Sequence, residues 1–267
     1  MKTGKNSSGL SILAASLSLA VFIFMIVMNG LASAVRINGL DTGEVSALYP
    51  NLFVPAGITF SIWGLIYLFL LCFVVYAFYL AVSPGKTPVL DIKNHLLFFL
   101  SSIFNGVWIL LWHYEKIGWS LLVMLGLFVV LLWLFLRLDR LKLNDAWKKL
   151  AVFIPISVYL GWITVATIAN VTAFLVSLGW NGWGLSEAVW AVIMIIAGGL
   201  IAGGVCLTRK NTAYTLVVIW AYIGIIIKRA ASEPVYNGII LAASVFLGIL
   251  SILVIYTFIK KIVPNDR

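Results

Sequence analysis

The chain has 267 residues, 63% of them hydrophobic and 10% charged, with a mean hydropathy of +1.11. A soluble domain carries about half apolar residues and about 25% charge, so a soluble fold is excluded and a bilayer is the expected solvent. The net charge of +9 does not mark a nucleic-acid binder, because no soluble basic domain carries it; it fits cytoplasmic loops rich in Lys and Arg.

Lys2 and Lys5 precede an apolar run from Leu10 to Ala34. Ala32-Ser33-Ala34 has the form of a signal-peptidase site, but the run from Leu10 to Met28 exceeds the roughly 7 to 15 residues of a signal core, so a retained first span is expected. Residues 35–57, with Arg36, Asp41, Glu44, Pro50 and Pro55, read as the longest loop. Further spans are expected over Thr59–Val82, His95–Trp112, Ile117–Leu136, Leu150–Leu178, Ala188–Leu207, Ala213–Ile227 and Gly238–Ile259. The third and fourth form a tight hairpin, Pro155 should kink the fifth, and the seventh is the shortest. Cys72 and Cys206 lie in or beside apolar runs without C-x-x-C spacing and read as ordinary buried thiols, with no disulfide framework or metal site implied.

Eight spans with the N-terminus inside place all but Arg36, Lys116, Lys228 and Arg229 of the 18 Lys and Arg residues in the cytoplasm. That asymmetry satisfies the positive-inside rule, and both termini are expected to be cytoplasmic.

All nine acidic residues fall in loops, tails or span ends, and no Lys or Arg sits in mid-span. Ion-coupled transport and a retinal Schiff base, which keep ionisable groups at depth, therefore lack their residues. His95 and His113 lie about 27 Å apart along one helix and cannot share a metal within it. His113 is read as an interfacial polar residue sooner than as a ligand.

Rings and amides recur instead. Asn105, Trp108 and Trp112 stand at i, i+3 and i+7 on one face of the third span, where a buried carboxamide must find another helix, water or a ligand. Phe60, Trp63, Tyr67, Leu70 and Val74 form a stripe on the second span, and Tyr159, Trp162, Ala166, Asn170 and Ala173 one on the fifth. Each stripe serves helix packing or ligand contact; three in converging spans suit an apolar cavity with a few polar groups. Gly199 and Gly203 form a G-x-x-x-G on the sixth span, read as intramolecular packing first and a homodimer face second. Two sterol-type patterns, ending at Lys116 and Lys260, are weak. Trp119, Trp180, Trp183 and Trp190 are read as interfacial anchors.

Three ordered blocks resemble the translocator protein / tryptophan-rich sensory protein (TspO/MBR) family: Pro55 running into Trp63 and Tyr67; Phe104-Asn105 with Trp108, Gly118 and Trp119; and Tyr159-Leu160 with Trp162 and Asn170. The resemblance covers residues 10–180. It implies a five-helix membrane domain (1–180), to which the spans read from hydropathy add a three-helix membrane extension (181–267), an all-α integral membrane protein of about eight spans in total. It also implies a ligand pocket lined by Trp63, Tyr67, Asn105, Trp108, Trp162 and Asn170, closed by the loop before the second span; Pro55 of that loop, and Trp112 and Tyr159 on the aromatic faces of the third and fifth spans, join them as candidate ligand-binding residues. The ligand class it implies is a hydrophobic planar molecule, a tetrapyrrole such as a porphyrin, with no required cofactor.

The chain departs from the family pattern in having one proline and no Trp at Val54-Pro55-Ala56-Gly57, in a displaced Pro155, and in lacking the family's sterol motif after Val171. The expected function is a multi-pass binding or sensory protein of a prokaryotic plasma membrane, with a transporter that is not ion-coupled as the alternative. No nucleophile, base and orienter are visible, so an enzyme is not expected, although the light-dependent tetrapyrrole breakdown proposed for the family would need no such triad.

Overall fold

A computed structural model describes the backbone of residues 3–262, apart from 142 and 144, and side chains between 9 and 260. The described chain is 83% helix with no strand, and eight helices are long and apolar enough to cross a membrane. The protein is a multi-pass integral membrane protein. Its spans are α1 (Thr3–Gly30), α2 (Ile62–Val82), α3 (Ile92–His113), α4 (Ile117–Asp139), α5 (Ile154–Ser177), α6 (Glu187–Arg209), α7 (Thr212–Ala230) and α8 (Asn237–Ile262). At 19 residues α7 is the shortest, as expected. The termini, expected in the cytoplasm from the charge pattern, fall on residues 1–2 and 263–267, outside the described residues.

Local chemistry explains where these helices begin and bend. Asp91 caps α3 by accepting from the Asn94 N–H, Ser186 caps α6, and Asn211 caps α7. Ahead of α5 the chain widens into a π-turn, Lys149–Phe153, in which the Ile154 N–H reaches back to the Lys149 carbonyl. Pro155 is the cause: it has no N–H to offer the Ala151 carbonyl, and its ring crowds that turn. The expected kink is therefore absorbed just before the proline. A second π-turn, Leu31–Val35, prolongs α1 through Ala32-Ser33-Ala34 and ends at Arg36 in the left-handed region.

The described residues form two compact units, one comprising the chain up to Val45 with Trp63–Ile156, the other Ser46–Ile62 with everything from Ser157. This is a grouping by packing; the split at residue 180 expected from the sequence concerned family likeness.

In the first unit α3 is the central element, packing on α1 and α4. Gly106 meets the Phe24 ring where any Cβ would stand. His95 Nδ1 and Ser18 Oγ are 2.8 Å apart. Arg137 at the end of α4 donates to Asp91 (2.6 Å) and to Asn94 (2.8 Å), joining the open end of the α3–α4 hairpin.

In the second unit α6, α7 and α8 pack on one another. Gly199 lies against Phe246 of α8 and Gly203 near Leu250 and Leu253, so the G-x-x-x-G seats α8 within the chain. Cys206 is buried beside Thr257, whereas Cys72 is exposed on α2. The expectation of two buried thiols is corrected for Cys72: its position on α2 turns away from the buried Leu70, Phe73 and Val74.

Alpha-5 also offers α7 a face of small and polar residues, Ser157, Gly161 and Thr164. Asn211 donates to Ser157 Oγ (2.7 Å), the Tyr214 hydroxyl to Thr164 Oγ1 (2.7 Å), and Gly161 lies against the Tyr214 backbone.

Candidate functional site

The nine residues singled out from the sequence divide between the units: Trp63, Tyr67, Asn105, Trp108 and Trp112 in the first, and Pro55, Tyr159, Trp162 and Asn170 in the second.

In the first unit four rings form one array. Trp63 stacks on Tyr67 at 5.5 Å and 20° and on Trp108 at 6.2 Å and 30°. Trp108 in turn stacks on Trp112 at 6.1 Å and 22°. The helical repeat produces this. Trp63 and Tyr67 are one turn apart on α2, Trp108 and Trp112 one turn apart on α3, and parallel indoles on each helix meet across the helix contact. Trp108 and Trp112 are buried and Trp63 and Tyr67 half-buried.

Asn105 is fully buried one turn from Trp108, and its carbonyl oxygen accepts from Asn29 Nδ2 of α1 at 2.7 Å. The other helix that the sequence demanded is thus α1, and Asn29 was missed. The signal was present: a lone amide at the end of an apolar run must be satisfied once the run is buried. Asn29 Nδ2 also donates to the Met25 carbonyl, so one amide group serves both its own helix and α3.

The Trp112 end of this array holds the first loop. The Trp112 indole N–H donates to the Thr42 carbonyl (3.2 Å), and Asn38 donates to the His113 carbonyl (3.0 Å). His113 is fully buried, with Nδ1 at 3.0 Å from the Ile37 carbonyl and Nε2 at 3.2 Å from Thr42 Oγ1. A carbonyl only accepts, so Nδ1 donates to it, and the contact of Nε2 with the threonine hydroxyl ties the same ring to the loop a second time. His113, at the end of α3, is a buried anchor of the loop. Replacing it with Leu is expected to speed proteolytic cutting between residues 36 and 42 several-fold, read by limited digestion in detergent.

In the second unit Trp162 packs edge-to-face on Phe60 at 5.9 Å and 84°. Tyr159 is fully buried, and Asn170 is buried with Nδ2 donating to the Ala166 carbonyl at 3.0 Å. Pro55 belongs to a segment that α7 fastens. The Ala56 N–H donates to the Gly224 carbonyl (3.0 Å), the Trp220 indole N–H donates to the Thr59 carbonyl (2.9 Å), and Gly224 leaves room for Pro55 and Thr59. One of the last three helices therefore holds the Pro55–Thr59 segment, a role the sequence did not disclose. Thr59 Oγ1 is buried beside Pro55 with no hydrogen-bond partner among the described residues, the kind of orphan that a bound polar atom would satisfy.

A cavity of about 430 Å³ also lies in the second unit, among the end of α5, the start of α6 and the Asn51–Phe53 segment. None of the nine residues lines it.

Compared with known proteins, the chain matches the model of one family, described as TSPO-like protein, over residues 15–256. That match runs through all eight spans and so takes in the three helices that the sequence resemblance left out. Neither a curated protein nor a solved structure matches the chain.

Proposed function

The chain belongs to the TSPO-like protein family, and from that premise we propose that it is a membrane-embedded binding protein for a hydrophobic planar ligand of the tetrapyrrole class. The observation that carries the proposal is the four-ring array Tyr67–Trp63–Trp108–Trp112 with the buried Asn105 beside it. Indoles supply large apolar faces at low conformational cost, and an amide next to them supplies the polar contact that fixes orientation. A ligand that takes the Asn105 carbonyl must compete with Asn29, so polar recognition there is coupled to the α1–α3 contact. Pro55, Tyr159, Trp162 and Asn170 enter the proposal on the family resemblance, with the orphan Thr59 hydroxyl in support.

The test is titration of the purified protein with protoporphyrin IX, followed by tryptophan fluorescence. The Trp63→Ala, Trp108→Ala double variant removes two ring contacts worth about 0.5–1.5 kcal/mol each beyond buried area. Saturable binding should weaken about 5- to 150-fold, with helical content unchanged by circular dichroism. Equal binding in both proteins would sink the proposal.

The protein is further proposed to reside in a prokaryotic plasma membrane with both termini in the cytoplasm. Green fluorescent protein fused after the last residue should fluoresce and alkaline phosphatase fused there should stay inactive; the reverse result would overturn the topology.

A further inference from the structure

The cavity in the second unit is built by residues that were read from the sequence as interfacial anchors. The link between α5 and α6 turns sharply, with Gly179, Gly182, Trp183 and Gly184 all at positive φ. These turns fold Trp180 back onto Trp190 at 5.0 Å, and Trp183 lies 5.4 Å from Trp180 and 5.8 Å from Trp190. Gly182 is required at its position twice over: its φ is +66°, and a Cβ would press on the Trp190 indole at 3.3 Å. The Trp190 N–H donates to the Gly182 carbonyl at 2.8 Å, which fixes the ring as a wall of the cavity. Phe53, Leu175, Val176, Trp180 and Met194 contribute to the apolar lining.

The polar groups at the cavity are mostly committed to the chain itself. Asn51 accepts from the Phe53 and Val54 N–H groups and donates to the Tyr49 carbonyl. Asn181 accepts from the Trp183 N–H, the Ser186 hydroxyl from the Val189 N–H, and Thr172 donates to the Ile168 carbonyl. Glu187 is the exception. It lines the cavity at its exposed edge, and its carboxylate makes no hydrogen bond or ion pair among the described residues. It is the one ionisable lining group, and it is negative in a chain whose net charge is +9.

We propose that this cavity is a second ligand site, for an apolar molecule carrying a cationic centre, with Glu187 as counter-ion and the Trp180 and Trp190 rings as its walls. Its volume of about 430 Å³ lies within the roughly 300–1,000 Å³ of small-molecule sites. Indole faces attract a cation that has shed its water, and a carboxylate at the mouth adds to that attraction while repelling anions. The same charge disfavours a tetrapyrrole with ionised carboxylates in this cavity.

The probes are tetraphenylphosphonium and tetraphenylborate, equal in shape and opposite in charge, in equilibrium dialysis against the full-length protein in detergent. The phosphonium should bind saturably at one site per chain and more tightly than the borate. Glu187→Gln should weaken the phosphonium about two- to fivefold and leave the borate unchanged or tighter. Val176→Trp, at a half-exposed position of the lining, should remove phosphonium binding by filling the space. The Trp63→Ala, Trp108→Ala variant should bind phosphonium like wild type, so the two sites fail or stand separately. Non-saturable uptake, or binding unchanged by Val176→Trp, would overturn the site; binding indifferent to Glu187→Gln would overturn the cationic class.

Discussion

Gly161→Ala is expected to lower the stability of the detergent-solubilised protein by about 1–3 kcal/mol, and Gly161→Leu to prevent recovery of folded protein. A Cβ at this position would stand 2.9 Å from the Tyr214 carbonyl oxygen and 3.1 Å from Val217 Cβ. The obstacle on the α7 side is backbone, so no rotamer change relieves it and the two helices must separate. Separation also lengthens the hydrogen bonds on either side, Asn211 to Ser157 and Tyr214 to Thr164. Both pairs are buried, and a buried hydroxyl or amide left without its partner costs about 1–3 kcal/mol. Gly204, also in the second unit, has nothing within 4 Å of its Cβ position, so Gly204→Ala should be neutral or stabilising by up to about 1 kcal/mol. Gly199 is intermediate, because its neighbour is the Phe246 ring, a side chain that can swing. Loss of helix signal on titration with sodium dodecyl sulfate ranks the three. A Gly161→Ala protein as stable as the Gly204→Ala one would show that α5 and α7 are not in backbone contact.

The second large effect is expected at the amide pair of α1 and α3. Asn29→Leu leaves the Asn105 carbonyl oxygen, buried at 0% exposure, without the donor now 2.7 Å away. The cost is about 1–2 kcal/mol, toward the lower part of the range for an unsatisfied buried group because partners within a bilayer are partly replaceable. The decisive quantity is the coupling. Deleting Asn105 after Asn29 should cost less than deleting it first, by about 0.6–1.7 kcal/mol in a double-mutant cycle. Additive effects would mean that the two amides do not act together. The pair also bears on the first span. Cleavage after Ala34 would remove Ser18 and Asn29 and strip α3 of its partners for His95 and Asn105.

Much of this fold was legible in the sequence because hydrocarbon imposes one strong rule, that backbone polar groups be satisfied within a helix of sufficient length. The third span, expected over His95–Trp112, is α3 over Ile92–His113; the missing first turn is polar, Ile92-Lys93-Asn94, and was lost to hydropathy although Asp91 marks its cap. Periodicity correctly grouped Asn105, Trp108 and Trp112 on a buried face, since side chains three and four residues apart must share one.

Partners across helices were less legible. Asn29 and Asn105 are 76 residues apart, and no local pattern pairs them. Ser157, Gly161 and Thr164 carried the small-residue spacing of a close helix contact, but the larger Tyr159–Trp162 stripe drew the reading of that span toward its other face. Trp180, Trp183 and Trp190 were read as anchors because rings near span ends usually meet lipid headgroups. Their mutual packing depends on four residues of the α5–α6 link at positive φ, which only the backbone reveals.

The ring array of the first unit has an optical consequence. Three indoles in sequence, Trp63, Trp108 and Trp112, are separated by about 6 Å and tilted by 30° and 22°. At that spacing their transition dipoles do not absorb independently, so excitation is shared along the array and the far-ultraviolet dichroism should carry a couplet of opposite-signed lobes on top of the helical signal. The couplet is a property of the order of the rings and not of their number. A planar molecule entering among them would break it without any label being attached, and a change of spacing too small to alter helix content would still move it.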